Sequence, residues 1–292
     1  MSLSSRHHPF AVACLFVLAS ASSAIAHPDI AVTARVLFDI RDGRLVSVAE
    51  SFAFDGVRLS DTTSIITGNA AAPSAGSSGS ITIIGTSGRG NAGQGVQLAN
   101  DVRLESTGGS IDLRGRSESS GGHGTLIEGN SRITTSRGAI TIGGESTSGS
   151  ASGLYVAQDA QGQAVIGGPP TTGTVVLRAA APAGVDSLDL FGLVQTSGVF
   201  NMRPGGVDAA GNLSEWLDVP ITLGTSSAPV PADRIGMVIN QPGGGSAATL
   251  VIGSAQHRGL ITVHGPITPG TDLSLQNGGA GSRGIEINAP ID

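Results

Sequence analysis

The chain contains no lysine, one cysteine and few rings: Trp216 and Tyr155 are the sole members of their kinds, and aromatics make up 3% of 292 residues. Each shortage excludes something. All 16 basic residues are Arg, scattered singly, and the formal net charge is −6, so the clustered positive charge that phosphate neutralisation needs is missing and a nucleic-acid partner is excluded. With Cys14 alone there is neither a disulfide framework nor a cysteine zinc set. A hydrophobic content of 39% is too high for a disordered acidic chain. Glycine, at 45 residues, has no three-residue period, which excludes collagen. What is present is Val, Ile, Leu and Ala in short pieces punctuated by Gly, Ser and Asn, the pattern of an all-β chain with many turns.

Residues 1–26 read as a signal peptide: Arg6, His7 and His8 precede an apolar run from Phe10 that closes on Ala24-Ile25-Ala26, a small-x-small cleavage site. Cleavage leaves His27 first, removes Cys14 with the leader and leaves no membrane span. The expected location is extracellular or the outer-membrane surface, with the periplasm as the alternative. Residues 27–56 form an N-terminal β-hairpin segment, with a strand from Ile30 to Phe38, a turn at Asp42-Gly43 and a partner from Leu45 to Phe54. Three of the seven Phe fall here, so the segment either stands apart or caps the rest of the chain.

A repeat emerges when glycines are aligned. Gly79-Ser80-Ile81-Thr82-Ile83 matches Gly109-Ser110-Ile111-Asp112-Leu113 and Gly138-Ala139-Ile140-Thr141-Ile142. Gly95-Val96-Gln97-Leu98 matches the segments at Gly124 and Gly153, and Val102-Arg103-Leu104 matches Ser131-Arg132-Ile133, all 29 apart. Three short strands per repeat at constant offset predict a right-handed parallel β-helix, each strand stacked on its equivalent in the next coil. The inward set is Ile81, Ile83, Val96, Leu98, Val102 and Leu104; Thr82, Gln97 and Arg103 face water. Glycine at strand starts is expected to supply positive φ at the corners. Ser106/Thr135 and Thr107/Ser136 fall in equivalent places, either as hydroxyl ladders or as exposed turn residues. The expected divisions are a linker or first irregular coil at 57–78, coils at 79–204, an irregular excursion at 205–248 and truncated coils at 249–292.

Two resemblances rest on these residues. Phe200-Asn201-Met202-Arg203-Pro204-Gly205-Gly206-Val207, the Gly-x-Ile-x-Ile/Leu starts and Gly284-Ile285-Glu286-Ile287 resemble filamentous-haemagglutinin-type two-partner-secretion exoproteins across about 57–292. That resemblance implies the β-helix fold, an adhesin-like role and an outer-membrane secretion transporter as partner, although no Asn-Pro-Asn secretion signature stands near the mature N-terminus. His27-Pro28, Ala34-Arg35-Val36, Asp42-Gly43-Arg44-Leu45 and Phe54-Asp55 resemble the start of an uncharacterised periplasmic ABC-transport-associated family, which implies an accessory of a metal or solute transporter.

The search for chemistry yields no catalytic set and no cofactor. His123 is a loop residue; His257 and His264 lack ligand spacing apart from their separation of seven. His27, with a free amine beside its imidazole after cleavage, is the one weak metal candidate. Glu105 and Glu128 are isolated, and Asp186 and Asp189 are expected on opposite faces of a strand, so the paired carboxylates of a polysaccharide lyase or hydrolase are missing. The stacked Arg103/Arg132 pair is the weak candidate for an anionic ligand. The expectation is a non-enzymatic, adhesin-like rod whose loops 86–94, 115–123 and 205–233 meet host or environmental glycans or surface proteins. A transporter accessory and a polysaccharide lyase are the alternatives.

Overall fold

A computed structural model describes residues 55–67, 79–90, 92–169, 171–224 and 245–292, with the backbone alone of strands Ile30–Ala34, Asp39–Arg41, Arg44–Val46 and Met237–Asn240. The signal-peptide segment, Cys14 and His27 lie outside these residues. The described chain is all-β, without a helix.

Three sheets of parallel strands account for almost all of it, and the chain visits them in rotation. From Ile81–Thr86 in the first sheet it passes to Val96–Ala99 in the second and Arg103–Ser106 in the third, then returns to the first at Ile111–Ser117. The same rotation repeats through Thr125–Ile127, Arg132–Thr135 and Ile140–Ser146. Register is constant: Ile81 lies beside Ile111, Ile111 beside Ile140, Ile140 beside Val175 and Val175 beside Phe200. The parallel columns Val57-Val96-Thr125-Leu154-Leu188 and Ile65-Leu104-Ile133-Ile166-Val194 run up the other two sheets.

All six residues expected to point inward, Ile81, Ile83, Val96, Leu98, Val102 and Leu104, are buried, and with their column neighbours they form one continuous apolar core. Aliphatic side chains suit it because each packs on its equivalent in the strand above, and a slip of one residue would turn every column to water. Gln97 departs from expectation. It is buried, and its amide donates to Glu128 Oε1 at 2.7 Å. Ser106 and Thr135 do lie side by side and are buried, but their hydroxyls donate to the carbonyls of Gly79 (3.2 Å) and Gly109 (3.0 Å) rather than to each other.

The corner glycines serve a different purpose from the one expected. None of Gly109, Gly115, Gly124 and Gly138 adopts positive φ. They are needed because backbones meet: a Cβ on Gly115 would lie 1.9 Å from the Gly124 carbonyl oxygen where the first sheet turns into the second. Positive φ occurs instead at the next corner, between the second and third sheets, at Asp61 and Thr62, then Asn100 and Asp101, then Gly129. Asx side chains tolerate that region, and Asn100 Nδ2 donates to Asp61 Oδ1 at 3.2 Å.

The N-terminal segment joins the sheets. Ile30–Ala34 pairs in parallel with Ile81–Thr86 instead of forming a hairpin arm, and Asp39–Arg41 pairs in parallel with Val57–Ser60. Asp39–Arg41 also pairs with Arg44–Val46, the antiparallel strand at the edge of the second sheet, while the expected turn at Asp42-Gly43 lies outside the described residues. The stretch 205–248 holds strands of the same sheets, out of order: Met237–Asn240 lies between Leu188–Leu190 and Ile221–Leu223, although it comes after both in sequence. At the far edge Ile285–Ile287 pairs with Ile261–Val263 and leaves Ile285 and Ile287 exposed.

Candidate functional site

Outward-facing residues form columns too, and on the second sheet one of them carries Tyr155. Gln97, Leu126, Tyr155 and Asp189 are register neighbours there. His123 lies two residues before Thr125–Ile127, and its ring centroid lies 4.9 Å from that of Tyr155. Phe191 comes directly after Leu188–Leu190, and its centroid lies 5.6 Å from Tyr155 on the other side. Interplanar angles of 45° and 44° make both contacts tilted, a favourable arrangement for ring quadrupoles. All three rings are half-buried, so each offers part of its surface to solvent.

The row is fixed from beneath. Gln94 Oε1 accepts from the His123 backbone N–H at 2.5 Å, and His123 Nδ1 lies 2.9 Å from Ser152 Oγ. Burial is the main cause that pushes the His123 pKa down, against the Ser152 contact and the charge of Asp189, so the imidazole is neutral near pH 7. Beside the rings stand carboxylates. Asp186 is raised to about 6 by burial and by the like charge of Asp189. Asp186 lies ahead of the strand, which begins only at Leu188, so the alternation expected to set it opposite Asp189 does not apply to it. The Tyr155 hydroxyl is pushed above its ordinary value by burial first, then by Asp189, Asp159 and Glu128.

The outer face of the first sheet is built differently. Gly205–Trp216, expected to project as part of the 205–233 loop, folds back over it. Val207 N–H donates to Glu145 Oε2 at 2.8 Å, and Arg116 Nη1 donates both to Glu145 Oε1 at 2.5 Å and to the Val207 carbonyl at 2.9 Å. Farther along, Glu215 accepts from Arg203 Nη1 at 3.2 Å and from Ser254 Oγ at 2.8 Å, with Arg178 Nη2 3.8 Å away. Gly143 makes room for the strap: a Cβ there would lie 2.1 Å from Leu213 Cδ2. Burial pushes the Glu145 pKa up, against the pull of Arg116 and the Val207 N–H, and burial pushes the Arg178 pKa down. The charged row is thus consumed by the chain's own strap.

The remaining sequence candidates separate. Arg103 and Arg132 are register neighbours on the outer face of the third sheet, both exposed, and Arg103 Nε donates to Glu105 Oε1 at 2.6 Å. His257 is buried with no hydrogen-bond partner at Nε2, whereas His264 is exposed, so the pair does not converge. Loops 86–94 and 115–123 stack like the strands, with Ser117 Oγ and Ser119 Oγ each donating to the Gly93 carbonyl at 2.7 Å. A shallow groove of about 550 Å³ between Gly168-Pro169 and Ser246-Ala247-Ala248 has no charged lining. No group of three metal-ligating side chains lies together among the described residues.

Sequence reasoning misses the ring row because His123, Tyr155 and Phe191 sit at different places in the repeat. Folding positions onto a 29-residue period exposes the first contact: His123 maps to position 152, one strand start from Tyr155. Set against known proteins, the chain matches no family model, no curated protein and no solved structure.

Proposed function

We propose that the three parallel sheets are the walls of a right-handed parallel β-helix, and that the chain is an exported, adhesin-like rod whose outer surface binds glycans or surface proteins. Supporting the architecture are the rotation of the chain through the sheets and the constant register. A column of this kind is stiff, since every buried strand is hydrogen-bonded to neighbours on both sides. Stiffness suits display, because contacts offered by a rigid surface lose little freedom on binding.

The observation that carries the binding role is the His123–Tyr155–Phe191 row. The chain's one tyrosine and one of its seven phenylalanines, with His123 beside them, stand at the surface of the second sheet. Partly exposed rings grouped on a rigid wall are the feature most typical of recognition surfaces. Resemblance to two-partner-secretion exoproteins adds export to the cell surface and a role without catalysis. A glycan array and a cell-binding assay on the signal-cleaved chain test the reading. Retention above that of a scrambled-sequence control supports it, and none on either surface refutes it.

A further inference from the structure

The tail of the strap is fastened by a turn built around a buried histidine. We propose that this turn is an acid-sensitive latch: a proton on His257 releases Glu215–Asp218 from the first sheet and uncovers Arg178 and Arg203. The turn 254–259 grips the tail at successive residues. The Arg258 and Gly259 N–H groups donate to the Leu217 carbonyl at 2.6 and 3.0 Å, and Ser254 Oγ donates to Glu215 Oε1 at 2.8 Å. The Arg258 guanidinium donates to both carboxylate oxygens of Asp218, at 2.7 and 2.6 Å. On its other side the turn is bonded to the turn of the next coil. Gly279 N–H donates to the His257 carbonyl and Arg283 N–H to the Arg258 carbonyl, each at 2.9 Å.

The imidazole within this turn has no place for a second proton. His257 is 1% exposed, and its Nε2 is buried without a hydrogen-bond partner. An imidazolium carries an N–H at both ring nitrogens, so the one at Nε2 would lack an acceptor while its charge lacked water. The neighbouring carboxylates, Glu215 and Asp218, are already committed. Glu215 accepts from Arg203 Nη1 at 3.2 Å and from Ser254, and Asp218 is held by Arg258. The other charged residues of the two bonded turns, Arg258 and Arg283, are cations. Burial accordingly pushes the His257 pKa down, against the pull of Glu215 and Asp218. The closed turn therefore accepts the neutral ring, and an opened turn takes up the proton as pH falls through the ordinary histidine value of about 6.5.

Opening changes the character of the first face. Glu215 is the ionic partner of Arg203 and lies 3.8 Å from Arg178, and these two arginines are register neighbours. With the tail lifted both guanidiniums lose that carboxylate, so a face that is covered and balanced at neutral pH becomes cationic in acid. The near end of the strap is fastened separately, by Glu145 on the Val207 N–H, and a proton on Glu145 would loosen that end instead.

Trp216 emission of the signal-cleaved chain, followed from about pH 8 to 5 with circular dichroism to verify that the strands persist, reads the latch. A reversible red shift with its midpoint below about 6.5 is expected, retained in Glu145→Gln and lost in both His257→Gln and His257→Leu. A flat emission in the parent chain overturns the latch, as does an equal shift at the same midpoint in the His257 variants. Hydrogen exchange of the parent chain, corrected for the intrinsic pH dependence, locates the opening without any variant. Exchange about tenfold faster near pH 5 in 214–219 and 277–284, with 205–208 still protected, is the expected result. Opening led by 205–208, or none in 214–219, places the trigger elsewhere and overturns the proposal.

Discussion

The outer faces of the first and second sheets are made by successive strands of one rotation of the chain, and they end in opposite conditions. On the first, Arg116, Glu145, Arg178 and Arg203 are covered by Gly205–Trp216, which satisfies them through Val207 and Glu215. On the second, the rings of His123, Tyr155 and Phe191 lie against one another and remain partly exposed. The difference teaches that a repeating wall does not determine what its surface does. One stretch of chain covers the first face, and the second keeps part of its ring surface open to solvent, which is where recognition is expected.

The largest effect is expected where the two faces join. Gly115→Val places a branched side chain against the backbone carbonyl of Gly124 and against Thr125 Oγ1, which is held by its hydrogen bond to the Gly143 carbonyl. A loss of about 3 kcal/mol or more is expected, seen as a fall in Tm of roughly 10 °C by calorimetry. An unchanged Tm would mean that the corner is not packed as described.

Next comes the strap. Glu145→Ala removes the acceptor of the Val207 N–H and strands Arg116, a cost of about 2 kcal/mol after allowance for partial solvent access. Trp216, the only tryptophan, reports on it: its emission shifts to the red if the strap lifts, whereas Tyr155→Ala on the other face leaves it unchanged.

A smaller effect depends on pH. Because the folded pKa of Asp186 is raised from 3.8 to about 6, its protonated form favours the fold. That contribution is complete below pH 4 and is lost as pH rises through 6, an effect of about 1 kcal/mol once discounted for partial exposure. Glu145 acts in the same direction from the strapped face, and His123, lowered by burial, acts in the opposite one. Stability curves from pH 4 to 7 separate them: Asp186→Asn should flatten the fall, and the difference from Glu145→Gln assigns each share.

The smallest effect belongs to the third face. Arg132→Ser should change stability by under about 0.5 kcal/mol in chemical denaturation, since the side chain is exposed and its stacked neighbour Arg103 is already paired with Glu105.

The columns Ile81-Ile111-Ile140 and Leu98-Ile127-Val156 are legible from sequence because strand alternation and a period of 29 residues are both local and strict. The features that escape sequence reasoning depend on contacts between turns. Gln97 is buried, and its amide meets Glu128, which is remote in sequence. The corner glycines stand out as necessary, but the reason is the approach of one backbone to another, which no single segment reveals. Asp186 and Asp189 fall on opposite faces only if alternation is applied to a residue that precedes its strand. The strap reads as an irregular loop because its partners Arg116 and Glu145 are far away in sequence. The ring row combines three different repeat positions, so aligning equivalents does not assemble it.

The claim that recognition belongs to the ring face rather than to the strapped one is tested most directly by hydrogen exchange of the signal-cleaved chain with and without the glycan that the array retains most strongly. Slowed exchange in peptides covering 121–127, 153–159 and 186–191, with 205–216 unchanged, is the predicted result. Slowing confined to 205–216 or to the stacked loops at 86–94, or no slowing anywhere at saturating sugar, would contradict it.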